Sequence, residues 1–171
     1  MRLLRTLVAA CALLSMAAQA SAQQVVFIVR HAERAAAPAG QTPAPGMMAD
    51  DPPITPAGEQ RAARLASMLA SAGIRHVFTS EYLRTRQTAA PLAAKLGLAP
   101  VTVPAKDPDA LLARIRGADG NVLVVGHSNT VPDLLKKLGV SGTVTIADSE
   151  YDNLFVVFRD GDKATLTALK Y

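Results

Sequence analysis

The chain has 171 residues, half of them apolar, and a formal net charge of +4. That length suits one domain with a real core. No basic run or aromatic ladder points to a nucleic acid, and no apolar stretch reaches the ~20 residues of a membrane-spanning helix.

Residues 1–22 read as a secretory signal. Arg2 and Arg5 precede about 13 apolar residues, and Ala20-Ser21-Ala22 offers small residues before a cut at Gln23. An uncleaved anchor is the alternative. Cys11, the only cysteine, lies in this segment, so the mature chain can form neither a disulfide nor a reactive thiol. Removing the segment takes away two arginines and leaves 16 basic against 14 acidic residues, a net charge of +2. One domain, 23–171, is expected, in the periplasm or secreted.

Val25–Val29 is short, apolar and β-branched, as a buried strand should be. It runs directly into Arg30-His31. Residues 35–53 hold five prolines and two glycines and read as a loop. A helix should follow, with Thr55 as N-cap, Pro56 at its first position and Gly73 as its stop. "RHVFTS" reads as the second strand. A helix over Tyr82–Leu96 comes next, bent at Pro91 and capped by Gly97. "APVTVP" is a third strand, and 107–116 a helix that starts near Asp107 or Asp109. "NVLVVGHSN" is a fourth strand, followed by a helix over Val131–Leu138. Two strands around Asp160-Gly161 form a hairpin. Strands alternating with helices predict an α/β fold of three layers. Its central sheet should be mainly parallel, with helices on both faces and a C-terminal antiparallel hairpin.

Ligands in such sheets sit beyond the carboxyl ends of the strands. His31 and His127 each follow one of the two most apolar strands. Arg84 lies one turn into the helix after the second strand. His76 belongs to the opposite end and reads as a surface residue. Two histidines and two arginines at one sheet edge suit an anion, because guanidinium forks match phosphate oxygens. A neutral imidazole can attack phosphorus. Zinc would need three or four ligands, and the nearby arginines would repel it, so no metal and no other cofactor is expected.

"RHAER", "TSEYLRTRQTA" and "VVGHSNT", with "DPPITPAGEQRA" between the first two, resemble the histidine phosphatase superfamily, also called phosphoglycerate mutase-like. The resemblance spans about Val25 to Leu138. It implies that His31 is the phosphorylated nucleophile. It also implies that Arg30, Arg84 and His127 form the phosphate pocket. Ser128, Asn129 and Glu33, which lie close to His127 and His31 in the sequence, are expected as further substrate contacts. The sequence departs from the family pattern at Ala32, where glycine is usual. No aspartate follows His127, so the acid-phosphatase proton donor is absent. The region after the third strand offers Asp107 and Asp109 in place of the mutase-like glutamate. Asp107 is the first candidate donor, with Glu33 and Glu81 as rivals. No insertion is long enough for a cap domain.

The implied activity is metal-independent hydrolysis of a phosphomonoester or phosphoramidate. The substrate would be a small molecule or a phosphorylated envelope component, with no nucleic acid and no membrane span after signal removal. A weakly catalytic phosphate-binding protein, a phosphohistidine-protein phosphatase and an envelope sugar-phosphate phosphatase are the alternatives.

Overall fold

A computed structural model describes residues 23–36, 51–161 and 163–171. The expected signal and most of the proline-rich loop lie outside these residues. The elements are β1 (Gln24–Arg30), α1 (Pro56–Leu69), β2 (Ile74–Thr79), α2 (Leu83–Leu96), β3 (Val101–Thr102), α3 (Pro108–Gly117), β4 (Asn121–Gly126), α4 (Thr130–Lys137), β5 (Asn153–Asp160) and β6 (Lys163–Lys170). They form one six-stranded sheet in the order β3-β2-β4-β1-β5-β6. The pairs β3/β2, β2/β4 and β4/β1 are parallel, while β1/β5 and β5/β6 are antiparallel.

Alternation along the strands explains the layers. In β4, Val122 and Val124 point to one face, and Leu123 and Val125 to the other. The first face packs against Ile115 of α3 and Leu134 and Leu135 of α4. The second packs against Leu65 and Leu69 of α1 and Leu92 of α2. Side chains of period 2 on a central strand thus need helices on both sides. The strands β1 and β4 carry the most completely buried residues and act as the rigid centre.

Several expected boundaries shift. Helix α1 ends at Leu69, and Gly73, at φ +65°, serves instead as a turn before β2. Strand β3 shrinks to two residues at the sheet edge. Helix α2 runs through Pro91 and closes on left-handed Gly97, as expected from its sequence.

The start of α1 is fastened to the segment after β1. Thr55 caps the helix through Gly58 N at 3.1 Å, and its own N–H donates to Glu33 O at 2.8 Å. Gly58 sits so close to this segment that a Cβ would lie 2.6 Å from Glu33 O and 3.1 Å from Ile54 Cβ. Both obstacles belong to a packed region. Gly58→Ala should therefore destabilise the fold by roughly 1–3 kcal/mol, the usual range for overpacking. A denaturant midpoint that does not fall would show that the segment yields freely.

Candidate active site

The carboxyl ends of β1, β2 and β4 open into a cleft of about 690 Å³. His31, held by N–H donation to Gly126 O at 2.9 Å, stands at the tip of β1. His127 follows β4, and its N–H donates to Thr130 Oγ1 at 2.9 Å. The two imidazoles meet edge to face, 5.3 Å between ring centres. Both are nearly sealed, at 3% and 8% exposure.

Each ring is oriented by one bond. His31 Nδ1 lies 2.8 Å from its neighbour's carbonyl, Ala32 O. A carbonyl only accepts, so Nδ1 carries the proton and Nε2 keeps its lone pair. Ala32 is itself fixed, because its N–H donates to Thr88 Oγ1 at 2.9 Å and its methyl packs with Ile54 and Ala62. His127 is held through Nε2, 2.9 Å from Ser80 Oγ, which in turn lies 3.0 Å from Thr85 Oγ1. That leaves His127 Nδ1 for a ligand.

Burial pushes His31 down to about 3 and His127 down to about 4, and the positive fields of Arg84 and Arg30 act in the same direction. Both are neutral at pH 7. A folded pKa below the unfolded 6.5 means that, as pH falls below 6.5, the unfolded chain takes up protons that the folded chain refuses. Stability must therefore fall with pH in that window. Between pH 7 and 5.5 each histidine should remove about 1 kcal/mol. The loss measured by denaturation should shrink by about that much in His31→Gln. An unchanged loss would mean that His31 is not buried in its neutral form.

Arg30 is 5% exposed and stacks on Tyr151, 4.1 Å from the ring centre. Its Nη1 donates to the carbonyls of Ala147, Asp148 and Glu150 at 2.9–3.1 Å. Its buried Nε has no hydrogen-bond partner among the described residues. Arg84 stacks on Tyr82 at 4.2 Å. Four of the residues singled out by the sequence therefore converge: Arg30, His31, Arg84 and His127. Ser128 and Asn129 line the same cleft.

The carboxylates fall elsewhere. Asp107 does not line the cleft; its Oδ1 accepts from Ala110 N at 3.0 Å and caps α3. Glu33 is held by Arg61 at 2.6 Å, which keeps its carboxyl below the ordinary range. Glu81 Oε2 accepts from Ala105 N at 2.8 Å. These two candidates also do not line the cleft, whereas exposed Asp148 does. His76 pairs with Asp119 at 2.7 Å, away from the cleft.

Sequence reasoning missed Asp51. This carboxylate is 6% exposed and accepts from Leu83 N with both oxygens, at 2.9 and 2.7 Å. It also lies 3.4 Å from Arg84 Nη1. It thus caps α2 and braces the arginine one residue into that helix. An aspartate inside a proline-rich loop, next to Asp50, carries no sequence signal for this role. Ser80 was missed too, although it ends the second predicted strand and so could have been found from its position.

An α/β sheet that presents a neutral histidine, a second histidine and two arginines at its carboxyl edge is arranged to hold a phosphoryl group. Comparison with known proteins agrees. The family model "Histidine phosphatase superfamily (branch 1)" matches residues 26–106, a little under half of the chain, and over these residues the chain is similar to that superfamily. It is 39% identical over 79 residues to a protein described as a probable phosphoglycerate mutase, GpmB of Yersinia enterocolitica; the match covers 46% of the chain and 35% of that protein. The chain spans only 13% and 35% of the lengths of two curated relatives that it matches. The crystal structure of the alpha-ribazole phosphatase from Shigella flexneri has the same fold, with a TM-score of 0.65 at 16% identity, covering 86% of this chain and 96% of that one. The protein histidine phosphatase SixA complexed with tungstate gives 0.64 at 21% identity, covering 85% and 96%.

Proposed function

We propose that this protein is an exported phosphatase that hydrolyses a phosphomonoester or phosphoramidate through a phosphohistidine on His31. One observation carries the reading: His31 Nδ1 is tied to the Ala32 carbonyl inside a cation-lined cleft, so the neutral ring offers Nε2 to phosphorus. In the first step the P–O or P–N bond to the leaving group breaks as the Nε2–P bond forms. Arg30, Arg84 and His127 Nδ1 hold the phosphoryl oxygens, whose charge rises in the transition state. In the second step water attacks phosphorus, the N–P bond breaks, and phosphate and neutral His31 are released.

The candidate proton donors Asp107, Glu33 and Glu81 are engaged elsewhere. The reaction then favours leaving groups that depart without help, such as nitrophenolate, over alkoxides. Export rests on the sequence pattern of residues 1–22, and mature protein from an envelope fraction is expected to begin at Gln23.

The test is hydrolysis of p-nitrophenyl phosphate by the purified chain. Activity should persist in excess chelator and be blocked by vanadate, a mimic of five-coordinate phosphorus. His76→Ala should match the wild type. Loss of activity in chelator, with recovery on adding zinc, would replace this mechanism by a metal-dependent one.

A further inference from the structure

The cleft holds more positive charge than one phosphate group uses. Beyond Arg30 and Arg84 it is lined by Arg34 and Lys106, both exposed, while the carboxylate lining it is Asp148. Four cations thus share a cleft with one anionic side chain. Among the described residues neither Arg34 nor Lys106 has an ion pair or a side-chain hydrogen bond. Arg84 feels the field of Arg34, which helps lower its pKa, although burial is the larger cause. Like charges gathered in one cleft repel one another, and an anion relieves that repulsion.

Both cations also stand on pinned backbone. Arg34 bridges to Ile54, and the residues on either side are tied across by Ala35 N–H to Pro53 O and Thr55 N–H to Glu33 O, each at 2.8 Å. Lys106 sits in the turn closed by Asp107 N–H to Pro104 O at 2.9 Å, and the preceding residue is anchored by Glu81. The side chains are long, but their starting points are fixed, which lowers the ordering cost of gripping a ligand. The cleft's volume leaves room beside the phosphoryl group for such a ligand.

We propose that Arg34 and Lys106 form a second anion subsite, so that the preferred ligand carries a phosphoryl group and, on its leaving portion, a second anionic group, either carboxylate or phosphate. The proposal rests on the phosphoryl pocket at His31 and names the class of compound that the pocket takes.

The experiment is calorimetric binding of three non-hydrolysable compounds to the full chain: propylphosphonate, 4-phosphonobutanoate and propane-1,3-diphosphonate. At low salt the two compounds with a second anion should bind about tenfold more tightly than propylphosphonate. That is the scale of two solvent-exposed charge contacts. The gap should close in the Arg34→Gln/Lys106→Gln double variant and in high salt, where exposed charges are screened. A gain for only one of the two compounds would identify that group as carboxylate or phosphate. Equal binding of all three, or a gap that survives the double substitution, would overturn the subsite alone. Absence of binding by all three would overturn both the subsite and the phosphoryl pocket.

Discussion

His31→Ala should lower kcat/KM for p-nitrophenyl phosphate by at least about 10³-fold while leaving the fold intact. Removing a nucleophile eliminates the covalent route and leaves only the help given by the remaining pocket. The substitution leaves a small void between His127 and Tyr151, which lie 5.3 and 6.0 Å from the His31 ring. It breaks no bond between elements, because the His31 side chain bonds only the adjacent carbonyl, while the backbone bond to Gly126 is kept. His127→Ala should be slow for a different reason, since it keeps the attacking nitrogen and loses an oxygen-binding group. Near-normal turnover by His31→Ala would exclude His31 as the attacking group.

The second large effect is expected at Asp51. Its carboxylate accepts from Leu83 N with both oxygens and faces Arg84. Asp51→Asn keeps one oxygen for the cap, so the stability loss should stay within the ~0.5–2 kcal/mol range of a weakened N-cap. Arg84 loses its negative brace. The expected result is a rise in KM together with a fall in kcat, reducing kcat/KM by at least about tenfold. Asp51→Glu should restore part of it, since the charge returns with a longer reach. Unchanged kinetics in Asp51→Asn would show that Arg84 keeps its place without this carboxylate.

The contrast between His31 and Asp51 shows how much the sequence discloses. An apolar, β-branched run ending in a cation and an imidazole is a local pattern, and strand ends are where α/β sheets bind ligands. Arg30, His31, Arg84 and His127 are therefore legible in the amino-acid order alone, as are the parallel sheet, its two helical layers and the terminal hairpin. The carboxylates resist such reading, because an acidic side chain at a turn can cap, pair or catalyse. Asp107 caps α3, and Glu33 pairs with Arg61 from another element. Asp51 acts on a helix 32 residues further along the chain, a relation that only the tertiary fold creates. Gly73 likewise serves as a helix stop in the sequence reading and as a turn before β2 in the structure, since both uses require the same left-handed backbone.

The central claim is that phosphorus is transferred to His31, and the most direct measurement is the location of the transferred group. The chain would be mixed briefly with a labelled phosphoryl donor, quenched in base, digested and mapped by mass spectrometry. The phosphoryl group should lie on His31, be stable in base and labile in acid as a phosphoramidate is, and be absent from His31→Ala. An adduct on another residue, or one that persists in His31→Ala, would contradict the account.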